Sequence, residues 1–535
     1  MHRIVRTLVA LLALAGLLPA QDGKGESLEG LAADAELVET RTEVPRLKAP
    51  AAYELKDNTV LIELSEYAGY AGLIAANGGL EPNEGSLFFR KFGFKVKLAL
   101  SEEESWSALN SGRMAASATT VDVLAVYGKQ FSVVVPALIG YSRGADGVVV
   151  SSAIKRINDL RGKTLATAQF TEADFLIRYL AQEAALPIRM LPDLSAAPDR
   201  NSLNLVFCSD AFGAGDLFLR EVKGARGRLA GCVTWAPKTT EVADGSEGKA
   251  KVLVTNRNLL IVADILVVNK GFAASNPDIV TGLVHGLLEG NRMVRDHPRD
   301  HLAVVAKAFG WSAEDAEGEL SKVHLANLPE NQAFFAGTID SAGSYGGIYE
   351  SAVYAYGKEL IPNPADSERF VEKRHLDAAA ASGAFKEQKP SVTPLKSAGA
   401  QAVEGDPLLS KDIRFFFKPN SSDLDMNTEE NVKNLESIKK LLQVSPGSTV
   451  LLRGHVDNAL VETFRKQGGE AFVRSQALKA MELSKARAGE IARLLTERHK
   501  VDAARIERIG RGWEEPVGTD SEMNRRVEVQ WFTLE

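Results

Sequence analysis

The sequence predicts an α/β protein made of a two-lobe region followed by a smaller α+β domain of βαβαβ order. Three observations carry this expectation. Strand-like and helix-like segments alternate from residue 58 to 380 and fall into two successive sets. The chain crosses between the sets near 140–147 and again near 255–268, as a hinged two-lobe protein with a ligand between its lobes requires. A stretch at 385–411 holding Pro390, Pro394, Gly399, Gly405 and Pro407 then reads as a linker before a further set begins. The expected organisation is a signal segment at 1–20, a flexible polar leader at 21–50, the two-lobe region at 51–384, the linker, and a last domain at 412–535.

In the first set, Asn58–Leu64 reads as a strand, and Tyr70–Asn77 as a helix stopped by Gly78-Gly79. Phe94–Leu100 is a second strand and Ser101–Ser111 a helix with Trp106 and Leu109 inward. Val121–Val126 is an apolar segment, and strands follow at Phe131–Ile139 and Gly147–Ser151. The second set opens with a strand at Thr164–Ala168 and a helix at Thr171–Ala184, whose Phe175, Leu176 and Leu180 share one face. Strands are expected near 203–208, 229–235 and 259–268, and residues 277–360 read as mainly helical. In the last domain the strand Ile413–Phe417 precedes a helix that Asn427 and Glu430 would open as a capping box and that runs to Leu442. Thr449–Arg453 is a strand, Ser484–His499 a helix, and Arg505–Gly510 and Arg526–Phe532 the closing strands.

The chain has 535 residues, 45% hydrophobic and 25% charged, ordinary for globular protein and enough for about three compact units. A net charge of −7 lacks the basic footprint of a nucleic-acid binder. His2, Arg3 and Arg6, the apolar run Leu8–Leu18 and Pro19-Ala20 have the order of a secretory signal with cleavage before Gln21. The run is shorter than the ~20 apolar residues a bilayer span needs. No cysteine stands near the cut to take a lipid, so a periplasmic protein is expected. Cys208 and Cys232 both fall in strand-like runs, and export permits either a disulfide or two buried thiols.

The last domain carries an ordered motif set: Phe417-Lys-Pro-Asn-Ser421-Ser422-Asp-Leu424, Gly454-His-Val-Asp457-Asn458, Leu483-Ser484-Lys-Ala-Arg487-Ala488, Gly510-Arg-Gly512 and Asn524-Arg525-Arg526-Val527. This set resembles the OmpA-type peptidoglycan-binding family. The resemblance implies binding to the diaminopimelate of the wall's stem peptide, with Asp457 holding the ammonium and Arg487 the carboxylate. Arg suits the second role because its planar fork makes two charge-assisted hydrogen bonds. Asn458, Ser484 and Arg525 complete the implied set. Val456 stands where the family has threonine and Ala480 where it has asparagine, and the Asp457–Arg487 spacing is about twice the usual. The polar stretch Arg465–Glu470 within 459–480 reads as an inserted loop.

Residues 58–360 are similar to periplasmic solute-binding proteins of the nitrate/sulfonate/taurine and thiamine-pyrimidine-precursor group. The carriers are Ser65-Glu-Tyr67-Ala-Gly69-Tyr70, Asn77-Gly-Gly79, Leu109-Asn-Ser-Gly112, Ile157-Asn-Asp-Leu160-Arg161-Gly162-Lys163, and Ile261-Val-Ala-Asp264 through Asn269 before Asn276-Pro277. The similarity implies capture of a small polar or anionic solute for an ABC transporter or sensor, with a membrane transporter as candidate partner. Helix starts suit anions, so Thr119, Thr120 and Thr171 are candidate contacts, with Tyr67, Tyr70 and Trp235 as cleft walls. The alternative is a wall-anchored structural protein whose two lobes bind a protein.

No cofactor and no enzyme chemistry are expected. Gly140-Tyr-Ser142-Arg-Gly144 has the nucleophile-elbow spacing but joins strand to strand, where an elbow needs strand then helix. His297 and His301 have helical spacing but Pro298 between them and no third metal ligand. Phe212-Gly213-Ala-Gly215-Asp216 lacks the third glycine of a dinucleotide loop.

Overall fold

The computed structural model describes residues 37–535 except 102–104, 225–226, 258, 339–342, 392–406, 419–420, 445–446, 520 and 533–535. The expected signal segment, most of the leader and the centre of the linker lie outside the described residues.

Each lobe is built on a six-stranded mixed sheet. The first holds β1 (Thr59–Leu64), β2 (Lys95–Leu100), β3 (Ala116–Thr120), β4 (Val133–Ser142), β11 (Ala263–Asn269) and β12 (Val323–Leu325), in the order β12-β4-β11-β3-β1-β2. The second holds β5 (Asp146–Ser151), β6 (Thr164–Ala168), β7 (Ile188–Met190), β8 (Leu203–Cys208), β9 (Gly231–Trp235) and β10 (Ala250–Thr255), in the order β10-β5-β9-β6-β8-β7. The chain leaves the first sheet after β4 and returns to it from β10 into β11, so it crosses twice, as the sequence leads one to expect. β1 lies parallel to β2 and β3, and β6 parallel to β8 and β9. The first strand after each crossing, β5 or β11, runs antiparallel to these.

These strands are buried on both faces, which explains their near-continuous apolar runs. All residues of β4, β6, β8, β9 and β11 are buried. The long amphipathic helix Pro277–Asp296 covers the first sheet, burying Leu283, Leu287 and Val294, and Asn291 locks it down by donating to the Ile139 and Ala326 carbonyls. No helix among the described residues is long and apolar enough to cross a membrane.

The described part of the leader is extended and fixed rather than loose. Val38 donates its N–H to the Phe207 carbonyl, and Arg41 exchanges two backbone bonds with the Gln169 amide in the second lobe. Leu47 donates to Gln130 and Lys48 to Ser107 in the first lobe. Residues 37–50 therefore form a strap tied to both lobes. Cys208 and Cys232 are buried thiols not joined by a disulfide, and β6 separates their strands.

The last domain has β13 (Leu409–Ile413), β14 (Thr449–Gly454), β15 (Ile506–Gly510) and β16 (Val527–Phe532) in the order β13-β16-β14-β15. Helices Glu429–Val444 and Val461–Glu497 cover it. The first strand is Leu409–Ile413, not Ile413–Phe417, because Leu409 to Ile413 pair with Trp531 to Val527. Asn427 does not cap the following helix. Its N–H is taken by Asp425, and Asn431 instead ties the helix start to Phe416 and the Asp425 carbonyl. The segment expected as an inserted loop is helical. The helix Val461–Glu497 runs through it and breaks only at Gly468-Gly469, where Gly469 takes φ 65°, a conformation costly for other residues.

Candidate functional site

The parallel strands of both sheets end at one crevice, where open α/β sheets place their ligands. Past β1 come Ser65 and Tyr70; β3 ends at Thr119-Thr120. From the second lobe, β6 leads to Thr171, β8 to Ser209-Asp210, and β9 ends at Trp235. All of these line a cavity of about 380 Å³, a size suited to a small molecule. The strap closes one side with Val38, Glu39 and Arg41. A smaller recess continues inward between Tyr67, Tyr70, Asp146, Trp235 and Asp264.

All six aromatic and threonine candidates reach this crevice, four from the first lobe and two from the second. Tyr70 donates to Asp264 Oδ1 at 3.3 Å and meets Tyr67 edge-on, with centroids 5.2 Å apart. Thr119 and Thr120 are 4% exposed, and their hydroxyls find no partner. Thr171 precedes the helix Glu172–Glu183 but donates to the Ala168 carbonyl instead of capping. Trp235 lies against Phe212, centroids 5.3 Å apart, and its buried Nε1 has no acceptor.

Sequence reasoning missed the carboxylates. Asp264 and Asp146 stand at the starts of β11 and β5, and Asp122 in the first turn of the helix Val121–Tyr127, all wholly buried. Burial, with the mutual repulsion of these groups, pushes Asp264 far up. Burial raises Asp146 to about 6 and Asp122 to about 7. The signal was present: each is a lone acid inside an apolar run, such as Ile261-Val-Ala-Asp264-Ile-Leu-Val-Val.

The motif residues of the last domain gather at one end of its sheet. The loops after β14 and β15 meet the helix at Ser484. A Cβ on Gly454 would stand 2.1 Å from the Ser484 carbonyl oxygen, and one on Gly510 2.3 Å from that of Met481, so only glycine permits this approach. Ser484 is fully buried. Its hydroxyl donates to the Met481 carbonyl at 2.9 Å and accepts from Gly512 N–H at 3.0 Å, so it braces the loop. Val456 N–H bonds to the Gly512 carbonyl, which fixes the backbone just before Asp457.

Asp457 and Arg487 are half-buried, and neither makes a hydrogen bond or ion pair with another described residue. Arg487 lies over the Phe417 ring, and burial with the neighbouring Arg525 lowers its pKa. Arg525 is exposed and donates to Ser521. Asn458 sits beside Asp457, its carbonyl accepting from Val461. Arg526 is instead committed to Asp412 at 2.9 Å. His455, Glu515 and Glu528 have donor atoms within 4.8 Å of one another, but Arg453 already pairs with both carboxylates, which makes the trio an ion-pair network.

Residues 416–530 match the model of the OmpA family. No curated protein matches the chain. Among solved structures, the chain resembles the periplasmic aliphatic sulphonate binding protein SsuA from Escherichia coli at 15% identity, over 65% of this chain and 99% of that one, with a TM-score of 0.43. It also resembles the putative SsuA of Methylobacillus flagellatus KT (16% identity, 64% and 100% covered, TM-score 0.45) and the nitrate-binding protein NrtA of Synechocystis PCC 6803 (13% identity, 63% and 90% covered, TM-score 0.42).

Proposed function

We propose that the protein is a solute-binding protein of the bacterial periplasm, held non-covalently on peptidoglycan by its OmpA-family domain. The observation that carries the wall contact is the pair Asp457 and Arg487. A partly buried carboxylate and guanidinium with no partner are costly to keep unless a ligand completes them. The diaminopimelate centre offers an ammonium and a carboxylate to match. Asn458 and Arg525 border the pair, whereas Ser484 serves it only by shaping the loop.

The receptor reading rests on the crevice between two hinged sheets. A small polar solute seated there would favour a closed arrangement, since it contacts both lobes at once. Delivery to an ABC transporter or a membrane sensor follows from that role.

Sedimentation with diaminopimelate-containing sacculi tests the wall contact. The full chain is expected to co-sediment, and Asp457→Ala and Arg487→Ala to stay in solution; undiminished co-sedimentation of both variants rules the pair out. Ligand-dependent thermal stabilisation tests the receptor role, because only a ligand that prefers the native state raises stability. Stabilisation by a protein partner alone would favour the structural alternative.

A further inference from the structure

We infer that the interlobe cavity recognises its ligand through a positively charged nitrogen, an ammonium or amidinium, paired with an oxygen acceptor on the same small molecule. The inference deepens the receptor reading and rests on it.

The outer chamber is lined by four carboxylates, Glu39, Glu63, Glu172 and Asp210, against the single guanidinium of Arg41. Glu39 and Arg41 both belong to the exposed strap and are held at the rim in water, so Glu63, Glu172 and Asp210 set the sign of the chamber. The inner recess is lined by Asp146, Glu172 and Asp264, with no lysine or arginine among the described residues around it. Asp264 Oδ2 is buried there without a hydrogen-bond partner, in a residue only 2% exposed. A native protein seldom leaves such an atom unsatisfied unless something else completes it.

The aromatic walls fit the same charge. Tyr67, Tyr70 and Trp235 border the recess, and ring faces attract cations, most strongly once water is excluded. Trp235 Nε1 is a buried donor with no acceptor, which calls for a ligand oxygen beside the cationic nitrogen.

Helix starts argue for an anion only where their N–H groups are free. Here a protein carboxylate takes that place at one helix start, and acidic residues occupy the first turn of the other. Asp210 accepts from Gly213 N–H at 2.7 Å at the start of the helix Ala211–Lys223. Asp174 lies in the first turn of Glu172–Glu183, accepts from Phe170 N–H, and pairs with Arg178. At both helix starts an anion would therefore meet protein carboxylates, Asp210 at one and Glu172 with Asp174 at the other.

The test uses the full chain at physiological ionic strength, with thermal shift and calorimetric titration. The probes are choline, ethanolamine and L-arginine, against nitrate and methanesulfonate. At least one organic cation is expected to bind and raise Tm, with affinity falling tenfold or more in Asp264→Asn and in Asp146→Asn. The unliganded Asp264→Asn protein should melt at or above the parent, because an unmatched buried acid has been removed, and this shows that the variant folds. Cation binding unchanged in both variants would move the site elsewhere and overturn the inference. Binding of the anions alone would overturn the charge assignment and leave the receptor reading standing. No stabilisation by any of the five would overturn both.

Discussion

The guanidinium carbon of Arg487 lies 4.9 Å from the centroid of the Phe417 ring. Phe417 pairs by an isolated bridge with Leu424, so the turn that carries the first family motif supplies the platform for the third. A cation over an aromatic face at a partly exposed site gains about 0.5–1 kcal/mol. Phe417→Leu keeps the apolar contact and removes the ring face. Its affinity for sacculi is expected to drop about two- to fivefold, against near-complete loss in Arg487→Ala. An unchanged affinity in quantitative sedimentation would show that the ring does not position the guanidinium.

Ser484 reads from sequence as a wall contact, yet its buried hydroxyl is spent on Gly512 and Met481. Ser484→Val leaves the Gly512 N–H buried and unsatisfied, at a cost of roughly 1–3 kcal/mol. Ser484→Ala is expected to cost less, since it adds no bulk. Urea denaturation of the last domain's transition measures both. A destabilised loop should weaken wall binding in proportion to lost stability, and a binding defect at full stability would return Ser484 to the contact set.

The network around Glu528 sets a pH dependence. Burial alone would raise this carboxyl, but the His455 ring (Nε2 at 3.7 Å), the Gln530 amide and the Arg453 guanidinium outweigh it and pull Glu528 down to about 2. A carboxylate whose folded pKa lies below its unfolded value adds stability that is complete above the unfolded value, near 4.3. That stability is lost as pH falls from there toward 2. After solvent screening the contribution is on the order of 2 kcal/mol. Glu528→Gln should therefore flatten the fall in stability between about pH 4.3 and pH 2, and an unchanged acid limb in chemical denaturation would refute the assignment.

Much of the fold was legible, and the misses have physical causes. Thr164–Ala168 and Leu203–Cys208 match the observed strands because parallel strands buried on both faces read as apolar runs. Ala116–Thr120 is equally buried yet built of small and hydroxyl residues, so no apolar run announces it. Ala250–Thr255 is an edge strand paired only with β5, and its partly exposed residues hide it. In the cleft, the tyrosines, threonines and tryptophan were readable as wall residues, while the acids were passed over because a lone aspartate in an apolar run does not disturb a strand pattern. The strap reads as loose because it has no periodicity; its order comes from residues far from it in sequence, Gln169, Gln130, Phe207 and Ser107 among them.

The strap should respond to those two anchors. Gln169 holds Arg41 through both its amide groups, and Gln130 accepts from Leu47 while donating to the Pro45 carbonyl. Gln169→Ala with Gln130→Ala removes the four hydrogen bonds these side chains make to the strap, each worth about 1 kcal/mol. Amide exchange at Arg41 and Leu47 is expected to rise at least tenfold while the sheets stay protected. Because Glu39 and Arg41 border the cavity, ligand dissociation should also accelerate. Unchanged exchange would mean that the strap is held by something other than these glutamines.

Asn158 fixes how the last domain sits on the second lobe. Its side chain accepts from Ser410 N–H at 2.8 Å, donates to the Ser410 carbonyl at 3.0 Å, and also reaches the Ala184 carbonyl, while Ile157 N–H donates to Leu408. The same domain bonds to the second crossing, where Leu260 N–H donates to the Val444 carbonyl at 2.6 Å. One lobe and one crossing are therefore tied to the same domain, the lobe through β13 and the crossing through the end of the helix Glu429–Val444, so bending at that crossing must strain the Leu260 contact or carry the domain along. Asn158→Ala removes the side-chain hydrogen bonds of the lobe contact without touching the cleft. It should lengthen the particle in small-angle scattering. If the domain held its place in this variant, with the scattering profile of the parent, the apolar contacts of Leu409 and Ile413 would be sufficient to dock it, and Asn158 would be no more than a satisfied polar residue in that interface.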